Sequence, residues 1–359
     1  MNNRLLERYL TREVLSAWLG VMTVLLAIML ATRFASFLSL AAKGELPRDL
    51  LLEVAGLSSL RFLVILMPVS LLLAIVLSLG RLYADNEIAA MMGCGVSLTR
   101  LYRPFLLLAA VLAVVTALFS FNIGPWAGRE ADYLVKDAKR LVQFTPFAPG
   151  KFKPVANGRA VFYTADIDPS GNHLGEVFAH VIERDGTSVI VAPEGNQTVD
   201  PATGERVVTL ENGYRYRGEP GTADYDVTHF QALTMRISPP PFTYTNGQRK
   251  LKPTKDLLDS DAEDRAELQG RIAAPVSVLI LALLAVPLSH LRPREGRYGK
   301  VVWGVLAYLM YANLLMFGQS LVGKGRVSAI AGMWSVHAVV LAAAIFLVGR
   351  RQGWWRTRL

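Results

Sequence analysis

Long apolar runs, separated by short clusters of arginine, organise most of this chain. A helix needs roughly 20 apolar residues to cross about 30 Å of hydrocarbon. Six charge-free stretches come close to that length: Leu15–Thr32, Phe62–Gly80, Pro104–Trp126, Ile272–Leu291, Val301–Gly323 and Val327–Gly349. Three precede a long middle segment and three follow it, which predicts a membrane bundle of six transmembrane helices in a 3+3 layout. Pro68, Pro275 and Pro287 interrupt these runs. Such prolines are tolerated where neighbouring helices re-satisfy the freed carbonyls, so kinked or bundled helices are expected.

The middle segment changes period. Arg159–Asp166, Gly175–Glu183, Glu205–Leu210 and Asp226–Arg236 are rich in β-branched and aromatic residues. Asn157-Gly158, Asp185-Gly186 and Asn212-Gly213 read as the turns between strands. An antiparallel β domain follows, either a sandwich or an open roll. Charged helical linkers, Arg129–Arg140 and Asp259–Arg271, should carry the chain out of the membrane and back. The expected domains are 1–127, holding the first three helices; 128–270, the β domain with its linkers; and 271–359, the last three helices and a basic tail.

Composition agrees with the bilayer as solvent: 52% of residues are hydrophobic and the mean hydropathy is +0.33. A net charge of +9 raises the question of nucleic acid. That reading needs the basic residues gathered on one soluble face, whereas here they flank the apolar runs. Positive residues in short loops stay cytoplasmic. Arg4, Arg8 and Arg12 precede the first span, Arg81, Arg100 and Arg103 join the second to the third, Arg292, Arg294, Arg297 and Lys300 join the fourth to the fifth, and Arg350, Arg351, Arg356 and Arg358 close the chain. Both termini should therefore be cytoplasmic, with the β domain outside. Cys94 is the single cysteine, so no intrachain disulfide and no cysteine-based zinc site can form. The first apolar run lacks a small-residue cleavage site and reads as an anchor, not a cleaved signal.

Catalytic chemistry is hard to assemble. Gly318-Gln-Ser-Leu-Val-Gly323-Lys324-Gly325 has Walker-like glycine and lysine spacing, but ends in glycine where a magnesium-binding hydroxyl belongs and follows no strand. It reads as a short loop between two spans. His173, His180, His229, His290 and His337 are scattered without the spacing of a helical metal site. Asp259, Asp261, Glu263 and Asp264 suit a solvated helix start, favoured by the helix dipole. The stretch around residues 84–95 is more informative. Asp85 and Glu87 open it, Ile88, Met91 and Met92 share one helical face, and Gly93 and Gly95 end it. Such a helix either rests on lipid headgroups or faces a protein partner; the acids would be repelled by an anionic leaflet, which favours the partner.

Several separated matches then resemble one family. Leu82-Tyr83 through Glu87-Ile88, Met91, Cys94-Gly95 and Ser97, the helix Arg265–Ile272, Val286-Pro287-Leu288, the loop Arg292–Arg297 and the opening Arg8-Tyr9-Leu10 with Arg12-Glu13 together look like the LptF branch of the lipopolysaccharide-export permeases, across essentially the whole chain. The resemblance implies a half-transporter paired with a sister permease, LptG, and an outer domain of β-jellyroll type. It also implies two copies of an ATPase, LptB, beneath the pair, and the membrane-anchored jellyroll protein LptC leading to a periplasmic bridge. ATP and Mg would then be bound by the partner ATPase and no cofactor by this chain; the cargo is lipopolysaccharide extracted from the inner membrane. The helix at 84–95 becomes a coupling helix, with Tyr83, Asp85, Glu87, Ile88 and Met91 as the ATPase-coupling residues and Glu87 facing the ATPase.

Arg33 follows the first span and Arg61 precedes the second. They either anchor helix ends at the interface or, with Lys43, form a cationic collar for the phosphates of a lipid headgroup. On the β domain, Val161, Tyr163, Val177, Ala179 and Val181 alternate with polar positions and are read as an inward-facing groove for acyl chains, or as the domain's own core. An open roll also leaves an exposed strand edge for a partner. The competing readings are an LptG-type sister permease, a membrane enzyme acting on a lipid-linked substrate, and a secondary transporter. The enzyme would need converging His, Asp or Ser residues; the transporter would need internal repeats and charge at midplane, where the spans hold Asn313 and a few hydroxyls.

Overall fold

The computed structural model describes residues 3–42, 46–144, 147–155, 158–183, 186–200, 205–218, 224–239, 242–245, 247–258, 261–290, 297–328 and 330–352. They form two units: 1–40 with 48–134 and 245–359, which is helical, and 41–47 with 135–244, which holds the sheet.

In chain order the helices are α1 (Asn3–Ala42), α2 (Leu51–Ala84), α3 (Glu87–Gly93), α4 (Leu98–Leu118), α5 (Gly124–Gln143), α6 (Ala262–Leu288), α7 (Arg297–Gly323) and α8 (Ser335–Gln352). Among the described residues, six helical stretches are long and apolar enough to cross a membrane. The centre of this unit is α2 and α6, whose Leu71, Leu72, Ile75, Leu79, Val278, Leu281 and Ala285 are buried with Phe105 of α4. Pro275 does not break α6. It strips the Arg271 carbonyl of its helical donor, and the Ser120 hydroxyl donates to that oxygen instead, at 3.0 Å. Ser120 lies in a π-helical turn, Phe119–Ile123, between α4 and α5.

Lipid tails are as apolar as leucine, so close packing and polar ties choose which helices touch. A second π-helical turn, Ile330–Trp334, opens α8 and lies against α7 so closely that a Cβ on Gly318 would stand 2.6 Å from the Gly332 carbonyl oxygen. Tyr311 of α7 joins His337 Nδ1 of α8 at 2.7 Å and donates to Ser277 of α6 at 3.0 Å. Trp334 Nε1 donates to Gln269 at 2.7 Å. Each such tie contributes on the order of 0.6 kcal/mol in a bilayer. The Walker-like residues Gly318–Gly323 are the last turns of α7 and not a loop; only Lys324 and Gly325, at φ 66°, turn out of the helix.

The second unit is one six-stranded antiparallel sheet with neighbours in sequence order: β1 (Lys153–Val155), β2 (Ala160–Ile167), β3 (His173–Glu183), β4 (Gly186–Val199), β5 (Arg206–Gly218) and β6 (Tyr225–Ile237). Among the described residues of this unit there is one sheet, which fits a roll and not a sandwich. Residues of β1 and β6 line the same cavity, so the sheet curls over its own core. Asn212-Gly213 is not a turn: β5 runs through it, with Asn212 at φ 51° and Gly213 opposite Phe230, whose ring a Cβ there would strike. Glu176, at φ 46°, and Pro193 fall where the pairing of β3 with β4 is interrupted, and Pro193 and Asn212 where that of β4 with β5 is. At this row the inward positions step by three residues: Leu174 to Val177, Ala192 to Gly195, Leu210 to Gly213. A line of kinks thus crosses the sheet where strict alternation fails. Asn157 and Asp185 lie outside the described residues; Gly158 and Gly186 both have positive φ.

Candidate functional site

Three places carry the residues singled out above. At one end of the helical unit, Asn86, held at φ 57°, turns the chain from α2 into α3. Arg81, in the last turn of α2, is the hub beside it. Its Nε pairs with Glu13 of α1 at 2.8 Å, its Nη2 donates to the Tyr9 hydroxyl at 3.2 Å, and its Nη1 stands 3.5 Å from both Asp85 and Glu87. The Tyr9 hydroxyl donates to Glu87 at 2.7 Å. Glu87 is therefore held inside the chain by two partners.

The face of α3 also differs from the expected one. Ile88 is only 2% exposed and packs into the helical core, with Met91 and Tyr83 half-buried against it. Tyr83 meets the His290 ring edge-on at 5.1 Å between centroids. Ile88 therefore faces the chain's own core, and Met91 and Tyr83 turn part of their surface to the same core. The apolar stripe was legible, but the bundle itself occupies it. The outward face comprises Asp85, Ala89, Ala90, Met92 and Gly93.

The second place lies at the opposite ends of α2 and α6. Arg33 stacks its guanidinium over the Phe62 ring at 4.0 Å. Arg61 lines a cavity of about 190 Å³ with Ser120, Lys250, Glu267, Arg271 and Gln319, and feels both the like charge of Arg33 and the opposite charge of Glu267. Lys43 lies outside the described residues. Arg271, 4% exposed, was not singled out as a site residue. It pairs with Glu267 at 3.3 Å and donates to Thr254 at 2.7 Å and to the Lys250 and Lys252 carbonyls at 3.3 and 2.9 Å. Arg129 donates to the neighbouring Leu251 carbonyl at 2.7 Å. These bonds clamp residues 249–257 onto the helices, a role no local pattern announces.

The acidic helix start resolves into parts. Asp261 caps α6 by accepting from the Asp264 backbone at 3.1 Å, and that bond, with Arg249 beside it, holds its carboxyl below the usual range. Asp264 is buried and paired with Lys252 at 2.7 Å and Arg249 at 3.0 Å.

The third place is the interior of the roll. Val177, Ala179 and Val181 face inward opposite Thr164, Phe162 and Ala160. Val161 and Tyr163 do not share that face. They pair with His180 and Phe178 on the outer side, where Tyr163 stacks on Phe152 at 4.8 Å. The reason is that the outer set of β2, Val161, Tyr163, Ala165 and Ile167, is at least as apolar as the inner set, which includes Thr164 and Asp166, so period two does not pick out the inner face. Val155, Ala160, Phe162, Val181, Ile190, Leu233, Met235 and Ile237 line a cavity of about 450 Å³, with Arg215 and Arg236 among its walls.

The family model described as lipopolysaccharide export system permease LptF/LptG matches residues 8–350. The lipopolysaccharide export system permease protein LptF of Escherichia coli (strain K12) is 32% identical to this chain over 344 residues, covering 95% of this chain and 93% of its own length. The protein of the same name from Shigella flexneri shows the same identity and coverage.

Proposed function

The chain belongs to the lipopolysaccharide export permease family LptF/LptG, and from that premise we propose how its parts serve export. It is a multi-pass inner-membrane permease of the LptF type, a member of the lipopolysaccharide export system, and not itself an enzyme. The observation that carries this reading is a match spanning both units, so that α3, the outer helix ends and the roll are inherited together.

In this reading both termini and α3 are cytoplasmic and the roll is periplasmic, an orientation that the arginine clusters support. The outward face of α3 docks a separate ATPase, LptB, which binds ATP and Mg. The largely exposed flanks of α1 and α7 meet the sister permease LptG and surrounding lipid. Arg33 and Arg61, with Lys43, receive the phosphates of lipopolysaccharide, for which the planar guanidinium fork is suited. The roll takes the acyl chains: its cavity is apolar, and Arg215 and Arg236 among its walls suit an anionic amphiphile. Strand β6 pairs on one side with β5 and ends the sheet, leaving an edge for the jellyroll protein LptC and the bridge beyond it.

Affinity purification from detergent with identification of every stable partner is the test. Retention of an ATPase and a second permease supports the reading, and a chain that purifies alone overturns it. Within the roll, photo-crosslinkers at Val181 and Ile190 should capture lipopolysaccharide when ATP is supplied, and one at Val161 should not. Equal capture at Val161 would remove the cavity from the route.

A further inference from the structure

Helix α1 is buried in its own chain near one end only. Leu10, Val14 and Met22 are buried, and Trp18 Nε1 donates to Ser70 at 3.0 Å, but among the described residues of α1 beyond Met22 none is buried. The unburied half carries Arg33, whose stack on the Phe62 ring of α2 is a weak tie that a swing of this half would break. The attached end is the one that meets α3, and the two are joined through a single guanidinium: Arg81 reaches Glu13 and Tyr9 of α1 and Glu87 of α3 at 2.8, 3.2 and 3.5 Å, while Tyr9 bonds Glu87 directly at 2.7 Å.

We propose that Arg81 and Tyr9 are positioning residues that transmit displacement of α3 to α1, so that a helix pinned at its foot swings its far half, and Arg33 with it, when α3 is moved from outside. The proposal rests on the reading of α3 as the ATPase-docking helix. Each ion pair in the cluster is a quarter to a half exposed and individually weak. Geometry is what suits the group to transmission. Three nitrogens of one planar fork address two elements in fixed directions, which an ammonium on a flexible stem does not do. A rigid helix then carries the displacement along its length, about 1.5 Å per residue, from Tyr9 to Arg33. Buried Ile88 keeps α3 seated on the bundle while its polar end moves against α1.

The test uses the assembled complex in lipid nanodiscs, in a Cys94→Ser background, with spin labels at Ser36 on the unburied half of α1 and at Leu52 of α2. Label separation is measured without nucleotide and with ATP plus vanadate. In the otherwise unaltered complex the separation should change between the two states. In Arg81→Lys and Tyr9→Phe complexes the ATPase should stay bound, the change in separation should vanish, and lipopolysaccharide released per ATP hydrolysed should fall at least about fivefold, the lower end of ordinary coupling between sites. Variants that keep both the separation change and the release per ATP would overturn the proposal. So would loss of the bound ATPase, which would make the cluster part of docking. An unaltered complex that holds no ATPase would instead overturn the docking assignment of α3, and the linkage with it.

Discussion

Helices α1 and α6 are both apolar enough to cross a membrane, yet 11% of the most apolar stretch of α1 is buried in its own chain, against 56% for α6. α6 packs on α2, α4, α7 and α8, carries the clamp at Arg271 and is capped by Asp261. α1 is bound at its foot and otherwise presents Leu19, Val24, Ile28 and Leu38 outward. In water such a face would have to be covered; in a bilayer lipid covers it without cost, and it stays available to another helix. Apolarity alone therefore says that a helix is in the membrane, while burial within the chain separates helices that build its core from those whose flanks stay open to lipid or another helix.

The contrast breaks most visibly at Arg271. Arg271→Ala would strand Glu267 and two backbone carbonyls in a buried site, and should lower stability by about 3–5 kcal/mol. Thermal unfolding in detergent measures it, and an Arg33→Ala variant, altered on the unburied half of α1, should stay near the parent.

A pair of glycine substitutions sharpens the same point. Gly318→Ala pushes a methyl group into the Gly332 carbonyl and should cost about 1–3 kcal/mol. Gly20→Ala in α1 meets nothing within 4 Å and should gain about 0.5–1 kcal/mol from helix propensity. Parallel melting curves decide between these signs. If both destabilise equally, α1 is packed in a way its exposure contradicts.

A smaller effect belongs to the foot of α1. Trp18→Phe removes the bond to Ser70 and should cost about 0.5–1.5 kcal/mol, read as faster hydrogen exchange in α1 before Met22 and little change beyond it.

The smallest effect is a pH dependence at the start of α6. The folded carboxyl of Asp261 lies below its ordinary value, so its stabilisation is present above the unfolded pKa of about 4. It is lost as pH falls through the lower folded value. Exchange at the Asp264 amide should therefore stay slow from neutral pH to about pH 4 and quicken below it. Asp261→Asn, which keeps a cap without a titrating group, should flatten that profile.

Six spans, their 3+3 division and a β insertion were determined by the sequence alone, because each rests on a local signal: apolar length, arginine placement, or β-branched and aromatic runs. Leu82–Ser97 likewise announced a short helix with an apolar stripe. What the stripe faces was decided by the tertiary structure, which buries Ile88 in the chain's own core and leaves Met92 outward. The inner face of β2 was undecidable from alternation, since Ala160, Phe162 and Val161, Tyr163 are equally apolar; pairing with β3 chose it. Arg81 and Glu13 are 68 positions apart and Ser120 and Arg271 are 151 apart. No periodic pattern relates such residues, and only the path of the backbone brings a donor on one helix to an acceptor on another. Ion pairs and clamps are properties of that path, whereas spans and strands are properties of neighbouring residues.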